Sequence, residues 1–458
     1  MPPLTCSAKI LGAGAAVAVM LAAASAHANG AFPGGAEILA PADRPQRIVL
    51  GTNFGLVLSD DGGAHWRWTC EHDASAGALR YGVARGDSRR ILALTSNTLV
   101  VTEDGGCGWT RVATKPENVL IDYFIDTADP LRVLGLLESV ETRQFFVGSL
   151  DLRQLGTPAQ GLYTAPVEDT LTTIEVARSQ PRVVYATQNP RVGPERTHLV
   201  RSDDGGQTWA MITPQGAPEY ADLRIAAIDP TSAQKLYFRA SRPREQGEGL
   251  LVSEDGGATV RAAFFTMGAL SALLVLESGE VLLAEGDGTI SHLHRSDDGG
   301  ATFRQLPAVT IQARSLAERD GLVYAATNHT TDGYAIGVSR DRGATWQGLM
   351  SFDAVGAIDG CGDLPALCRE VCTRLVAGRI FSEGTCLAGP APADAGPSAD
   401  GPAEPTKPPA GCGCRLAGRW GGQGAVALLV VALIAAAGAR RARGERPRSG
   451  SVAPSRGG

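Results

Sequence analysis

Short apolar runs recur along residues 36–350, and polar turns separate them. Residues 55–58 and 250–252 are two such runs, and each leads directly into a turn rich in Ser, Asp and Gly. An aromatic or apolar residue then begins the next run. Runs of this length between turn residues are typical of β-strands. The pattern therefore predicts an all-β region built from short strands.

The turns share one motif, Ser-x-Asp-x-Gly-x-x-Trp, which we call the box. The first copy runs from Ser59 to Trp66, and a Thr begins the second, from Thr102 to Trp109. Two further full copies cover 202–209 and 339–346, whereas the copies at 253–260 and 296–303 replace Trp by Val and Phe. The box Asp residues are Asp61, Asp104, Asp204, Asp255, Asp298 and Asp341.

Each residue of the box suits a tight turn. The Asp and the Ser or Thr accept hydrogen bonds from backbone amides, and the Gly pair permits positive φ. The aromatic ring buries apolar surface between neighbouring units. Six catalytic carboxylates at one place in a repeat are not expected, so we predict that the box Asp residues are structural. A Ca²⁺ loop is the alternative, but the ligand spacing and bidentate Glu of an EF-hand are missing.

The boxes also give the length of the repeat. Successive box Asp residues are 43, 100, 51, 43 and 43 positions apart, so the long interval contains one further unit. That unit has its own apolar strand at Arg132–Leu136 and a degenerate box around Ser149–Asp151. Seven units of about 42–52 residues with four strands each predict a seven-bladed β-propeller over 29–358, with six or eight blades as alternatives. Glu37–Leu39 supplies an inner strand for blade one, and Phe352–Ile358 is available to complete closure.

The repeated motif resembles the Asp-box (BNR) repeats of sialidases, sortilin-type receptors, xyloglucanases and photosystem-assembly propellers. The resemblance covers most of residues 36–350. It implies the propeller fold and does not imply an activity. If the resemblance extended to the sialidase activity, it would imply three Arg that bind a carboxylate, a Tyr nucleophile assisted by a Glu, and an Asp that acts as the acid. The Arg-Ile-Pro element that usually precedes the first box is absent, since Val49 follows Arg47 and Ile48.

Charge excludes one class of partner. The whole chain has 458 residues and a net charge of −6. Residues after Cys414 hold eight Arg and one Glu, and the first 28 residues hold only Lys9, so residues 29–414 carry −14. An acidic surface repels polyphosphate, so we do not expect nucleic-acid binding. Motifs for a metal or a cofactor are also missing, and we predict neither.

The N-terminal 28 residues have the pattern of a secretory signal. Lys9 precedes an apolar stretch at 10–24, and Ala26-His27-Ala28 forms a small-x-small cleavage site. The remainder would be exported into a compartment where disulfides persist. Cys70 and Cys107 are therefore predicted to form a disulfide between blades one and two, with two unpaired thiols as the alternative.

A Cys-rich segment at 359–386 follows the propeller. Cys361, Cys368, Cys372 and Cys386 bracket a short helix predicted over 364–376. Four Cys in an exported chain favour two disulfides, and the sequence leaves their connectivity open. A structural Zn²⁺ site is the alternative, although paired Cys-x-x-Cys spacing is absent.

The C-terminal part is predicted to be a stalk and an anchor. Residues 387–411 are rich in Pro, Ala and Gly and form a disordered linker. Over 412–444, Cys412 and Cys414 precede an apolar run at 425–439 and an Arg cluster, which predicts a short transmembrane helix with a cytoplasmic end. This order resembles the myxobacterial C-terminal sorting domain, which implies processing near Cys412 or Cys414 and retention at the cell surface. A basic disordered tail occupies 445–458.

Binding is predicted on the face of the propeller opposite the boxes, because loops on a rigid scaffold carry function. The candidate loops lie in blades four and five. Their charged residues are Arg191, Glu195, Arg196, Arg242, Arg244 and Glu245. We predict an exported, surface-anchored module that binds an extracytoplasmic protein or glycan without catalysis. A glycoside hydrolase of sialidase-like or xyloglucanase-like type and an assembly factor for an extracytoplasmic complex are the alternatives.

Overall fold

The computed structural model describes ten stretches of the chain, which together hold the repeats and most of the Cys-rich segment. They are residues 35–70, 80–95, 98–112, 118–191, 196–218, 222–241, 247–287, 291–307, 311–358 and 366–386. The predicted signal, linker, sorting segment with Cys412 and Cys414, and basic tail lie outside them. Within the described stretches, no helix is long and apolar enough to cross a membrane.

The strands follow the predicted repeat. Blades one to three contain β1 (Gly35–Leu39), β2 (Ile48–Thr52), β3 (Gly55–Ser59), β4 (Trp66–Cys70), β5 (Arg80–Val83), β6 (Ile91–Leu94), β7 (Leu99–Thr102), β8 (Thr110–Arg111), β9 (Asn118–Ile125), β10 (Arg132–Ser139), β11 (Phe145–Asp151) and β12 (Gln160–Thr164). Each blade takes four consecutive strands, paired antiparallel from the inner strand to the outer strand.

Blades four to seven repeat this arrangement. Their strands are β13 (Asp169–Val176), β14 (Val184–Pro190), β15 (His198–Ser202), β16 (Ala210–Ile212), β17 (Asp222–Ile228), β18 (Leu236–Ser241), β19 (Glu248–Ser253), β20 (Arg261–Thr266), β21 (Ala269–Val275), β22 (Val281–Gly286), β23 (Ser291–Ser296), β24 (Arg304–Gln305), β25 (Ser315–Arg319), β26 (Leu322–Ala326), β27 (Ile336–Ser339) and β28 (Gln347–Met350). A one-turn helix, α1 (His329–Asp332), interrupts blade seven.

The seven sheets form a closed ring. The inner strand β1 contacts β5 of blade two on one side and β25 of blade seven on the other. From β9 onward, each inner strand contacts the next through β13, β17, β21 and β25, while β9 contacts β6 of blade two. The described residues therefore confirm the prediction of an all-β, seven-bladed propeller.

The core lies between blades and not inside one sheet. Val49 and Leu58 of blade one pack with Tyr81, Ile91 and Val100 of blade two, and all five are buried. Both faces of the middle strands are covered in this way, so every residue of β2, β3 and β6 is buried. Each fully buried aliphatic side chain contributes roughly 1.5–3 kcal/mol.

Inner strands carry register shifts that free polar side chains to join neighbouring blades. The pairing of β13 with β14 shifts between Leu171 and Ile174, and Ile174 N donates to Asp122 Oδ2 of blade three (3.1 Å). Thr173 Oγ1, at the same bulge, accepts from Ile225 N of blade five (2.9 Å). An extra residue in one strand leaves backbone groups without ladder partners. Here the side chains of the adjacent inner strand supply those partners.

Closure is reinforced at the outer edge of blade one. A strand from the predicted closing stretch, β29 (Val355–Ile358), pairs parallel with β4 and gives blade one a fifth strand. Helix α2 (Ala366–Ala377) then packs against the same blade through Cys368, Cys372 and Leu375. The end of the repeat region is thus attached to its beginning on the outside of the ring.

The predicted Cys70–Cys107 disulfide is wrong. Cys70 pairs with Cys368, 298 residues away, with 5.7 Å between the Cα atoms. Helix α2 sits on blade one and brings Cys368 to the end of β4, which sequence spacing alone could not show. Cys107 is also disulfide-bonded, to a residue other than Cys70.

Only one of the two disulfides predicted inside the Cys-rich segment is formed there by described residues. It joins Cys372 to Cys386. The i, i+4 spacing of Cys368 and Cys372 places both on the buried side of α2, but their partners lie in different parts of the chain. Cys361 lies outside the described residues.

Candidate functional site

The antiparallel order of each blade divides the links between two faces of the ring. Links from first to second strand and from third to fourth strand, which include the boxes, lie on one face, called here the box face. Links from second to third strand, and from each blade to the next, lie on the opposite face. The inner strands line the axis between the two faces.

The box carboxylates are used within their own turns. In blade four, Ser202 Oγ donates to Asp204 Oδ1 (2.8 Å) and accepts from Gly206 N (2.8 Å). Thr208 Oγ1 donates to Asp204 Oδ2 (2.6 Å), and Thr208 N donates to Oδ1 (2.9 Å). These hydrogen bonds, the one from the Thr208 hydroxyl first, hold the pKa of Asp204 well below its ordinary value.

The other boxes have the same geometry. Partial desolvation acts to raise the pKa of Asp61, but the hydrogen bonds from His65 and Ser59 outweigh it and lower this pKa to about 2. The box Trp rings are held too, since Trp66, Trp109, Trp209 and Trp346 each donate Nε1–H to a box Gly carbonyl at 3.0–3.1 Å. In the described residues the boxes are structural turns, with no carboxyl raised in pKa for proton transfer.

Of the six predicted binding residues, only Arg191 and Arg196 lie in described stretches. Arg191 is committed to packing, because its guanidinium donates to the carbonyls of Arg143 and Asp169 and lies 5.0 Å from the centre of the Phe145 ring. Arg196 is exposed. Glu195, Arg242, Arg244 and Glu245 lie outside the described residues. Arg191 therefore joins blades three and four through contacts within the protein.

Exposed apolar side chains lie before and after the two candidate loops of blades four and five along the chain. Val140 and Val167 lie in links of blade three on the face opposite the boxes. Across blades four and five, Phe265 lies near the end of β20, and Met267 lies in the link that follows. The exposed fractions reach 69% for Met267 and 46% for Phe265. The four residues form two separate pairs on the face opposite the boxes, one in the links of blade three and one at the end of blade five. Exposed apolar side chains of this kind are candidate contacts for a protein partner.

A paired histidine lies on β23 of blade six, next to the outer strand of blade five. His294 Nε2 is 3.3 Å from Glu285 Oε1, and Thr266 Oγ1 donates to Glu285 Oε2 (2.7 Å). The Phe264 ring lies 4.6 Å from the imidazole, centre to centre. Burial lowers the pKa of His294, although Glu285 acts in the opposite direction. The imidazole contacts Phe264 of blade five and Glu285 of its own blade, so it helps to join blades five and six.

The inner strands of blades one to four bring a polar cluster to the axis, called here the channel cluster. Arg80, on β5, forms an ion pair with Asp122 of β9 and lies 5.3 Å from the centre of the Tyr123 ring. Glu37 Oε2 accepts from Tyr81 N (2.6 Å). Glu175 of β13 lies near enough for Arg80 and Asp122 to act on its charge.

This cluster has three carboxyl groups and only one guanidinium, that of Arg80. One positive charge cannot offset the desolvation of all three carboxylates, so their pKa values are raised. Burial raises the pKa of Glu175 to about 8, and Arg80 opposes the rise. Burial also raises the pKa values of Glu37 and Asp122. Among the described residues, the Glu175 side chain has no hydrogen-bond partner. It therefore keeps its proton near neutral pH and has the chemistry of a proton donor.

The cluster differs from what the sialidase resemblance implied. Arg80 is the guanidinium that bonds within the described cluster, and Arg178 acts on Glu175 only through space. The described residues thus show no triad of arginines around a Tyr–Glu pair at this site. They also contain no group of three His, Cys, Asp or Glu side chains that could hold a metal ion.

The channel cluster was missed in the sequence, although a signal for it exists. Glu37, Arg80, Asp122 and Glu175 each belong to an inner strand and follow one another at about one blade repeat. An alignment of the seven units on their inner strands would have shown a charged residue there in four successive blades. Nothing in the sequence showed that those positions face one another.

One solved structure of a known protein supports the fold. A puromycin-hydrolysing peptidase of Mycobacterium tuberculosis matches with a TM-score of 0.51 and 12% identity, over 69% of this chain and 56% of the peptidase. A GH74 xyloglucanase from Xanthomonas campestris matches with a TM-score of 0.35 and 16% identity, over 69% and 70% of the two chains. No protein-family profile and no curated protein sequence matches the chain. At these identities the likeness concerns the fold and not the activity.

Proposed function

We propose that this chain is an exported, surface-anchored propeller that binds an extracytoplasmic protein, without catalysis, on the face opposite the boxes. The observation that carries the proposal is the placement of the exposed apolar side chains. Among the described residues, four of the six exposed large apolar side chains (Val140, Val167, Phe265 and Met267) lie at that face. The two charged loops predicted for binding lie between them in the blade order.

The energetics support a protein partner. Met267 and Phe265 leave apolar surface in water, and covering apolar surface yields roughly 25 cal/mol per Å². Side chains such as Phe and Met are enriched at protein interfaces. The signal pattern and the sorting-type C-terminus support a location outside the cytoplasmic membrane. An assembly factor for an extracytoplasmic complex would be one form of this function.

Two exposed methionines give a matched test. Met267 lies on the proposed face, whereas Met211 is similarly exposed (61%) on β16, just after the box of blade four. Full-length chain would be used to capture proteins from a solubilised envelope fraction. We expect Met211→Glu to recover the same partner as the unchanged chain and Met267→Glu to lose it. Equal recovery by both variants would contradict the proposed face.

A glycoside hydrolase is the second candidate, and Glu175 is the observation that favours it. A carboxyl that stays protonated near pH 7 can serve as a general acid if an ionised carboxylate faces it. Asp122 and Glu37 are the neighbouring carboxyls, but both already accept backbone N–H groups. A screen of fluorogenic glycosides decides between the candidates: hydrolysis that disappears in Glu175→Gln would establish the enzyme, and no hydrolysis is expected for the binding module.

A further inference from the structure

The box face contains a cavity that the proposed function does not use. It lies between blades three and four and has a volume of about 480 Å³. Small-molecule sites typically occupy roughly 300–1,000 Å³. The polar side chains around it include those of Asp126, Asp129, Arg132, Gln160, Arg182 and Gln207. Blade three, on one side of the cavity, has a 3₁₀ turn, Leu152–Gln154, in place of a complete box.

Part of the wall is fixed by internal bonds. The Arg132 guanidinium donates to Asp126 Oδ2 (3.1 Å), Ser149 Oγ (3.1 Å) and the Gly205 carbonyl (2.8 Å). Asp129 is held by Arg153, with Nη2 at 2.8 Å from Oδ1. The third carboxylate of the wall, Asp204, is bound within its box. These side chains form a polar frame in which Asp126 and Asp129 are paired with arginines, whereas Asp204 is bonded only by neutral groups.

Three other polar side chains at the cavity are available to bind a ligand. Among the described residues, the side chains of Gln160, Arg182 and Gln207 have no hydrogen-bond or ion-pair partner, and all three are exposed. Their backbones are fixed nonetheless, because Gly205 N donates to Arg182 O (2.8 Å) and Gln207 N donates to Asp204 Oδ1 (2.8 Å). Leu162 and Pro181 add apolar surface beside them.

We propose that this cavity is a subsite for a neutral saccharide. Each Gln amide offers donors and an acceptor, Arg182 offers donors, and the aspartates offer acceptors, a combination that suits hydroxyl groups, which both donate and accept. Leu162 and Pro181 can cover the C–H face of a sugar ring. The wall holds three aspartates and two arginines, and Arg153 pairs with Asp129 from outside the cavity. The charges therefore balance locally, and the site favours neither a phosphate nor an ammonium ligand. This site is independent of the opposite-face function, since it uses different residues on a different face.

Binding of cellotriose and maltotriose to the full-length chain in detergent tests the proposal. Saturation-transfer NMR and titration calorimetry would measure it, with Kd expected in the millimolar range for so few contacts. We expect Arg182→Ala and Gln207→Ala each to weaken binding of the preferred trisaccharide at least fivefold. Arg340→Ala is the matched control, because Arg340 is an exposed arginine in the box of blade seven, outside the cavity. It should leave Kd unchanged.

Salt and charged probes supply the contrary outcomes. A neutral ligand should bind equally in about 50 mM and about 500 mM salt, because screening acts on charges. The proposal is overturned if neither trisaccharide binds at about 10 mM, or if Arg340→Ala weakens binding as much as Arg182→Ala. It is also overturned if a glucosamine trimer or a hexuronate trimer binds more tightly than both neutral sugars. All of these readouts can fail while the protein-binding face remains active.

Discussion

Replacing both Cys70 and Cys368 by Ala should destabilise the chain more than replacing both Cys372 and Cys386. Each pair of changes removes one disulfide, but the enclosed loops differ, with separations of 298 and 14 residues. A cross-link acts mainly by restricting the unfolded chain, and its effect grows with the logarithm of the loop length. The longer loop also connects α2 to blade one.

The chain-entropy relation gives about 5.7 kcal/mol for the first disulfide and about 3 kcal/mol for the second, at 25 °C. The first figure is an upper value, because Cys107 is itself disulfide-bonded and that cross-link still restricts the unfolded variant. The ranking therefore matters more than the difference. Loss of packing should widen the difference between the two variants. The Trp68 ring of blade one lies 5.5 Å from the Phe381 ring, centre to centre, and Phe381 follows α2 in the chain.

Urea unfolding followed by tryptophan fluorescence would measure the effect. Trp68 is fully buried at the edge of blade one, and it is one of six tryptophans that contribute to the emission. We expect C70A/C368A to unfold at lower urea than C372A/C386A, and both at lower urea than the unchanged chain. Equal midpoints, or the reverse order, would refute the reasoning that the long-range disulfide secures the ring.

Three further predictions concern the box, the channel cluster and the anchor. Ser296→Ala should lower the free energy of unfolding by about 1–2 kcal/mol in thermal melts, because the buried hydroxyl bonds both Asp298 and Gly300 N; an unchanged melt would contradict a structural box. The pKa of Glu175 is about 8 when folded and 4.5 ordinarily, so the unfolded chain loses this proton first, and the contribution of Glu175 to stability falls as pH rises between those values. Glu175→Gln should therefore remove part of the stability difference between pH 5 and pH 8 in urea titrations, and an identical difference would count against a raised pKa at Glu175. Replacing Cys412 and Cys414 by Ala should change the mass of the mature chain or its retention in the surface fraction, whereas unchanged mass and fractionation would reject the sorting interpretation.

The repeat could be predicted from sequence because the interactions that form each turn and strand join residues that are close together in the chain. The turn chemistry of Ser59, Asp61 and Gly63 lies within five residues, and the apolar strands before and after it are equally local. Counting these units was enough to obtain seven blades. The hidden third blade was found because its strand, now β10, kept its apolar pattern after its box was lost.

Pairings between distant segments could not be predicted in this way. Cys107 was the predicted partner of Cys70, but the true partner, Cys368, depends on where α2 packs. The channel cluster depends on which side chains of four inner strands point toward the axis. A bulge of one residue, such as that in β13, reverses the side to which the following side chains point. Arg191 looked like a loop cation, but Phe145 and the Arg143 carbonyl of the preceding blade hold its guanidinium.

Site-specific photo-crosslinking in cells would test the proposed protein-binding face. A photoreactive amino acid would replace Met267 in one chain and Met211 in another, since both side chains are well exposed and lie on different parts of the ring. We predict a discrete covalent adduct with a protein at position 267 and none at position 211. Adducts at 211 but not at 267, or at neither position, would contradict it.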